Sequence, residues 1–112
     1  MKLIETMIRR EKFEEVKTAL DLIGYGSMTV SEVEGRGQQR GIRQEYRGAE
    51  YVVDRLPKMK LELVVNDDAV DTVIDTIKSA AFTGKTGDGQ IFILPVEDAL
   101  RVRTGETGTQ IL

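Results

Sequence analysis

A glycine-rich segment, TGKTGDG, runs from Thr83 to Gly89 and is well suited to binding an anion. Glycine accepts backbone conformations that let successive N–H groups converge on one negative group, so the three glycines indicate a phosphate site. A plain turn after a helix explains these residues equally well. The GKT triplet at 84–86 imitates the end of a Walker loop, but Ser79 stands where its first glycine belongs, which argues against a P-loop hydrolase.

Two arginines near the end of the chain, Arg101 and Arg103, form a second candidate anion site. In an extended segment their spacing predicts that both side chains leave the same face, while Leu100 and Val102 point into the body. Two adjacent guanidinium groups suit a polyphosphate. The alternative is a pair of solvated arginines near the terminus.

The segment from Gly35 to Pro57 has no strand or helix pattern of its own and is rich in glycine and arginine. Its five arginines against three acidic residues make it locally cationic in a chain of net charge −3, which favours a partner with negative or carbonyl-rich groups. Ile42, Tyr46 and Tyr51 lie around its tip, and amphipathic rings held in water are typical of contact surfaces. A binding loop is therefore predicted, against the alternative of a long solvated loop.

The composition excludes several kinds of chemistry. The chain of 112 residues has no cysteine and no histidine, which removes disulfides, thiolate nucleophiles, imidazole metal sites and the usual catalytic triads. Its length fits one domain. Apolar runs such as IFIL at 91–94 are too short to span a bilayer, and no basic-then-apolar leader opens the chain. These features predict a soluble cytoplasmic protein.

Hydrophobic periodicity predicts the elements that must position these residues. In order they are strand, helix, strand, strand, helix and strand, at residues 3–8, 11–23, 28–35, 58–65, 68–81 and 90–95. Asp68 is expected to cap the second helix. The βαββαβ order predicts an α+β, ferredoxin-like sandwich with both helices on one face of four antiparallel strands, a long loop between the second and third strands, and a short C-terminal strand or tail. The other face needs a cover, so self-association is predicted.

Three motifs together resemble the PII nitrogen-regulatory signal proteins of the GlnB and GlnK kind. YRGAEY, from Tyr46 to Tyr51, matches the signature of the family's T-loop. TGKTGDGQIF, from Thr83 to Phe92, is similar to its B-loop, and RVRTGE, from Arg101 to Glu106, to its C-loop. The resemblance implies a single PII-like domain at 1–112, with the T-loop at about 36–57, the B-loop at about 82–90 and the C-loop at about 101–108.

The resemblance implies a non-catalytic sensor of nitrogen and energy status. PII proteins are homotrimers that bind ATP or ADP between adjacent subunits, where the B-loop of one subunit and the C-loop arginines of its neighbour hold the phosphates. Carried over to this sequence, the nucleotide-binding residues are Thr29, Gly35, Gly37, Gln39, Glu62, Val64, Gly87, Asp88, Gly89, Arg101 and Arg103. With MgATP the family also binds 2-oxoglutarate, here implied through Gln39, Gly41 and Lys58. Gln39 would ligate the Mg²⁺ together with the ATP phosphates.

The resemblance also implies that the T-loop regulates target proteins, with an ammonium transporter or glutamine synthetase as the expected partners. Arg47 corresponds to the arginine that GlnK-type proteins insert into the cytoplasmic mouth of an ammonium channel, so membrane contact would be indirect. Tyr51 corresponds to the tyrosine that many bacteria uridylylate or adenylylate. Ala49 replaces the serine that is phosphorylated in cyanobacteria, which excludes that modification.

Two residues depart from the family's usual pattern. Gln38 and Gln90 are neutral where bacterial members usually carry arginine at the first position and lysine or arginine at the second. Because a charge-assisted hydrogen bond contributes about 1.5 to 3 kcal/mol, nucleotide binding weaker than usual by one or more orders of magnitude is expected. Arg36 or Lys85 is the candidate to compensate.

Two other classes of function stay open. One is a small nucleotide-hydrolysing or phosphotransfer enzyme on the same fold, although the sequence has no evident nucleophile or general base. The other is an RNA-binding module, since ferredoxin-like sheets often bind RNA. A pI near 5.0 and three phenylalanines without an RNP-type strand argue against it, so no nucleic-acid partner is expected.

Overall fold

A computed structural model describes residues 1–36, 42–46, 49–53 and 55–112 of the chain, and of 42–46 and 49–53 it describes the backbone. The strands and helices in these residues are β1 (Lys2–Arg9), α1 (Phe13–Leu22), β2 (Thr29–Gly35), β3 (Ile42–Tyr46), β4 (Ala49–Val53), β5 (Leu56–Val65), α2 (Val70–Ala81) and β6 (Gly89–Pro95). Short 3₁₀ turns span Arg10–Lys12, Asp67–Ala69 and Gly108–Ile111. Among the described residues, no helix is both long and apolar enough to cross a membrane.

Four strands form one antiparallel sheet in the order β2-β5-β1-β6, so the first strand of the chain lies between two that come much later. Ile4 of β1, for example, lies opposite Leu63 of β5 on one side and Ile93 of β6 on the other. The helices α1 and α2 pack against each other and against one face of the sheet. This is the ferredoxin-like α+β fold predicted from the βαββαβ order.

The core lies between the helices and the sheet, because alternate residues of each strand point to the helix side. The buried apolar residues are Ile4, Ile8, Val16, Leu20, Met59, Leu61, Leu63, Val65, Ala69, Val73, Ile77 and Ala81. Burial of a large apolar side chain contributes about 1.5 to 3 kcal/mol, so this layer fixes β1 and β5 firmly. Thr6 is buried among them, and its hydroxyl donates to the Gln90 carbonyl at 2.9 Å, which ties β1 to β6.

The second face of the sheet, here called the open face, carries no helix in the described part of the chain. By the strand register, its apolar residues are Leu3, Met7, Val33, Leu56, Val64, Phe92 and Leu94. They surround a charged group in which the Lys60 ammonium lies 3.4 Å from Glu5 and 3.8 Å from Glu62. Phe92 is 45% exposed and Leu94 41%. The predicted self-association depends on this surface.

The segment from Gly35 to Pro57 differs from the sequence expectation. It contains an antiparallel hairpin of β3 and β4, in which Ile42 lies opposite Val53 and Tyr46 opposite Ala49. The prediction that this segment has no strands of its own is wrong. Its β-branched and aromatic residues favour strands, and the glycines and arginines placed among them obscured that pattern.

The second helix begins two residues later than predicted. Asp68 lies inside the 3₁₀ turn, α2 begins at Val70, and no side chain in the described part of the sequence caps the helix, so the predicted cap is wrong. The Ala69 N–H donates to the Asn66 carbonyl at 3.0 Å and closes the turn. A backbone hydrogen bond of the tighter 3₁₀ type therefore replaces the side-chain cap at this end.

Candidate functional site

The B-loop is folded around the side chain of Asp88. This carboxylate accepts hydrogen bonds from the Thr83 N–H at 2.8 Å, from the Gly84 N–H at 2.9 Å and from the Thr83 hydroxyl. The Arg9 guanidinium, at the end of β1, completes the cluster with its Nε 3.1 Å from Asp88 Oδ1. These hydrogen bonds, led by those from Thr83, hold the pKa of Asp88 well below its usual value. Asp88 is therefore an ionised group whose hydrogen bonds to Thr83, Gly84 and Arg9 hold the loop in its conformation.

Two glycines in the B-loop are required by its geometry. Gly87 has a φ of +101° and Gly89 a φ of +115°, in a region that other residues rarely adopt. A Cβ on Gly89 would lie 1.9 Å from the Met7 carbonyl oxygen of β1. A Cβ on Gly87 would lie 3.3 Å from Arg9 Nη2. The glycines that suggested an anion site thus also allow the loop to approach the sheet closely.

Arg9 and Lys58 hold the B-loop against the sheet. They are directly opposite each other in the pairing of β1 with β5, and both point to the open face. Arg9 Nη2 donates to the Thr86 carbonyl at 2.7 Å, and the Lys58 ammonium donates to the carbonyl of Gly87. Partial burial, and then the nearby Arg9, lower the pKa of Lys58, while Glu11 and Asp88 oppose that shift. Two cations therefore meet two consecutive loop carbonyls.

The open face brings the adenine-pocket candidates to the same side of the sheet. Thr29 of β2 lies opposite Glu62 of β5, and Val64 is the next residue of β5 on that face. Gly35, at the end of β2, is closely packed, because a Cβ there would lie 3.1 Å from Lys58 Cγ. These four predicted residues and the B-loop are thus positioned by adjoining elements.

The C-loop does not have the extended conformation that the sequence suggested. The Gly105 N–H donates to the Arg101 carbonyl, and the Arg101 N–H to the Glu106 carbonyl, both at 2.8 Å, so the segment turns back on itself. Gly105 has a φ of +73°, which permits this tight turn. Leu100 is 61% exposed and Val102 95%, so the prediction that they point into the body is wrong.

The hydrogen bonds that the structure shows for the Arg101 side chain lie within the C-terminal segment of its own chain. The Arg101 guanidinium bonds to Glu106 at 3.2 Å and to the Ile111 carbonyl at 3.3 Å, and Arg103 is exposed. No hydrogen bond or ion pair found in the described residues joins Arg101 to the B-loop. The structure therefore does not bring the two predicted phosphate sites together in a single chain.

Several predicted residues lie where the structure gives no side-chain geometry. Gly37, Gln39, Gly41 and Arg47 are outside the described residues. Tyr51 belongs to β4, where its backbone lies opposite Gln44. The predicted roles of these residues in binding Mg²⁺, 2-oxoglutarate or a partner remain predictions.

Arg9 is the site residue that sequence reasoning missed. Its contribution depends on the β1–β5 register, which places it beside Lys58 although 49 positions separate them in the chain. The periodicity of each strand identifies its inward face but not which residues lie opposite each other. The signal that could have found Arg9 is its place at the end of the first strand, on the same face as Met7.

Comparison with known proteins gives a family match along nearly the whole chain. A family model described as Nitrogen regulatory protein P-II matches residues 1–106. The chain is 56% identical to nitrogen regulatory protein P-II 2 of Methanothermobacter thermautotrophicus, over 96% of this chain and 94% of that protein. It is 52% identical to nitrogen regulatory protein P-II of Bradyrhizobium diazoefficiens, over 96% of each chain, and 54% identical to that of Nostoc punctiforme, over 98% of each.

Proposed function

The chain belongs to the nitrogen regulatory protein P-II family, and we propose that it is a non-catalytic sensor of nitrogen and energy status. It binds ATP or ADP in competition and, together with MgATP, 2-oxoglutarate. The observation that carries this proposal is the B-loop, a glycine backbone folded around Asp88 and held beside the open face by Arg9 and Lys58. Such a loop presents backbone N–H groups in a fixed arrangement, which suits a phosphate.

The nucleotide lies between two copies of the chain in this proposal. Thr29, Glu62 and Val64 of one copy line the adenine side, next to Gly35 and the B-loop. Arg101 and Arg103 come from a neighbouring copy, because within one chain Arg101 bonds to its own tail. The uncovered apolar residues of the open face support the same arrangement, and the proposed assembly is a homotrimer.

The effector binds next to the nucleotide phosphates. The distal carboxylate of 2-oxoglutarate pairs with Lys58, whose ammonium lies beside the B-loop on the open face. Gly41 contributes a backbone N–H, and Gln39 is the protein ligand of a Mg²⁺ ion that the ATP phosphates hold as well. A Mg²⁺ ion bound mainly by substrate phosphates suits a site with few carboxylates.

The T-loop delivers the signal to a target in the cytoplasm, with an ammonium transporter or glutamine synthetase as the proposed partner. Arg47 is the proposed contact residue and Tyr51 the proposed modification site. Lys58 directly follows the T-loop in the sequence, so a ligand that contacts Lys58 acts at the base of this segment. Ligands that contact the base differently will favour different T-loop conformations.

A calorimetric titration of the purified protein tests this function. ATP and ADP are expected to bind and to compete with each other, and 2-oxoglutarate is expected to bind when Mg²⁺ and ATP are both present. Arg101→Gln should weaken ATP binding by about tenfold, because it removes a charge-assisted phosphate contact. The matched control is Arg10→Gln, which alters an exposed arginine outside the proposed site.

Two results would contradict the proposal. One is a wild-type protein that binds neither adenine nucleotide. The other is sustained ATP turnover in the absence of any partner, which would support the phosphotransfer or hydrolase alternative. Independence of 2-oxoglutarate binding from MgATP would contradict the effector site alone.

A further inference from the structure

Two consecutive carbonyl groups of the B-loop point at cations of the sheet. The carbonyl of Thr86 accepts from Arg9 Nη2 at 2.7 Å, and the carbonyl of Gly87 accepts from the Lys58 ammonium. Arg9 is also bound to Asp88 through its Nε, so its planar guanidinium spans the loop with two donors. These contacts fix the rotation of the two peptide groups that follow Thr86 and Gly87.

The orientation of these peptide groups determines where their N–H groups point. A trans peptide is planar, with its C=O and N–H on opposite sides, and the described residues contain no cis peptide. When the Thr86 carbonyl faces Arg9, the Gly87 N–H must face away from the sheet cations. When the Gly87 carbonyl faces Lys58, the same holds for the Asp88 N–H. Two adjacent N–H groups are thus turned outward, as an anion site requires.

We propose that Arg9 and Lys58 are positioning residues of the nucleotide site, which act by orienting the Gly87 and Asp88 N–H groups toward a bound phosphate. This inference rests on the proposed nucleotide binding and adds to it two side chains that act through the loop. It also gives Lys58 a role when no 2-oxoglutarate is present.

The same contact links the nucleotide loop to the base of the T-loop. Lys58 is close to the start of β5, and its Cγ lies near Gly35 at the end of β2, so both strands that flank the T-loop meet at this side chain. A shift of Lys58 away from Gly87 releases the peptide that carries the Asp88 N–H. Because coupling between sites is reciprocal, a nucleotide that holds this peptide in place also holds Lys58.

Calorimetric titration with ADP, without 2-oxoglutarate, measures the role of Lys58 apart from effector binding. Lys58→Met should weaken ADP binding by about tenfold, since it removes a charged donor to the loop. Lys58→Arg keeps a donor and should retain affinity within about threefold of the wild type. Lys17→Met, which removes an exposed lysine of α1, is the control and should not change the affinity.

Arg9 is tested in the same way, with a double variant to show that it acts through the loop. Arg9→Gln should weaken ADP binding by about tenfold, while Arg10→Gln should not. If Arg9 acts through the B-loop, adding Asp88→Asn to Arg9→Gln should weaken binding by less than the two single effects combined. Thermal unfolding of each variant shows that the comparison is made on folded protein.

An NMR titration gives a readout that does not depend on the variants. On addition of ADP to the wild type, the amide resonances of Gly87 and Asp88 should move more than those of Thr83 and Gly84, which bond to the Asp88 carboxylate. Unchanged Gly87 and Asp88 amides in a protein that binds ADP would overturn the inference. So would full ADP affinity in both Lys58→Met and Arg9→Gln. A wild type that binds no ADP would instead refute the proposed function.

Discussion

At the scale of single residues, Gly89 sets the distance between the B-loop and the sheet. A side chain there would begin 1.9 Å from the Met7 carbonyl oxygen, on a backbone with a φ of +115°. We expect Gly89→Ala to lower the free energy of unfolding by about 3 kcal/mol or more, since it adds both overpacking and backbone strain. Urea unfolding followed by circular dichroism measures this change.

Gly105→Ala is the matched control for that substitution. Gly105 has a φ of +73°, but no atom of the residues that the structure describes lies within 4 Å of the position a Cβ would take. Gly105→Ala should therefore lower the free energy of unfolding only through backbone strain, by about 1 kcal/mol. Equal costs at the two glycines would show that the close approach of the B-loop to β1 is incorrect.

Asp88 makes the stability of the protein depend on acid pH. The pKa of Asp88 in the folded state lies below the usual value of 3.8. Its contribution to the free energy of unfolding is therefore present above pH 3.8 and is lost as the pH falls toward the lower folded-state pKa. Asp88→Asn should therefore flatten the loss of unfolding free energy as the pH falls from about 4 to about 2. Urea unfolding across this range tests it, with Asp75→Asn on the exposed side of α2 as control. An unchanged acid slope in Asp88→Asn would contradict the bonding around this carboxylate.

The sequence could predict which residues of the glycine segment matter but not how each one acts. Glycine spacing identifies Gly87 and Gly89, because the need for positive φ is a local property. The role of Asp88 as the centre of the loop depends on Thr83, Gly84 and Arg9 meeting in space. Arg9 in particular comes from a strand that lies next to the loop only after folding.

At the scale of elements, the C-loop is a closed turn in which the Glu106 carboxylate pairs with the Arg101 guanidinium. Glu106 is an internal anion, so the phosphate of the proposed nucleotide would have to compete with it for the guanidinium. We expect Glu106→Gln to tighten ADP binding by about threefold, a modest effect because both side chains are about 40% exposed and partly screened by water. Calorimetry measures it, with Glu97→Gln as the matched exposed control. Weaker binding in Glu106→Gln would mean that Glu106 supports the turn instead of competing with the phosphate.

Sequence patterns located both helices and the four strands of the main sheet to within two residues at each end, but they missed the hairpin of β3 and β4. The alternation of β5 and the apolar spacing of α2 depend on which residues face the core, and that is visible in the sequence. The start of α2 depends on a 3₁₀ turn closed by backbone atoms, for which Asp68 gave a misleading signal. The prediction of an extended C-loop was wrong for a related reason. Gly105 permits a turn, and the spacing of the arginines does not reveal that turn.

At the scale of the whole molecule, the open face leaves apolar side chains such as Phe92 and Leu94 exposed in a single chain. We expect the protein to sediment with three times the mass of its 12.5 kDa chain. Phe92→Glu places a charge among the apolar residues of this face, on the edge strand β6, and should give monomers, because an unpaired charge is costly to bury. Analytical ultracentrifugation measures both masses.

Phe82→Glu is the control for the open-face variant. Phe82 follows α2 and is 66% exposed, but it is not on the open face of the sheet. Its substitution should leave the mass unchanged. A monomeric wild type, or a Phe92→Glu protein of unchanged mass, would contradict assembly through the open face.

The sequence predicted that something must cover the open face, because both helices lie on the other face of the sheet. It does not determine the number of copies in the assembly.

The central place of β1 has a consequence for synthesis of the protein in the cell. The strands that flank β1 are β5 and β6, so a nascent chain lacks Leu63, one partner of Ile4, until β5 is made, and Ile93, the other, until β6 is made. At ordinary elongation rates this wait is on the order of ten seconds. Ribosome-bound chains halted before β6 emerges should therefore be cut readily by proteases, and chaperones that bind apolar segments have that interval in which to act.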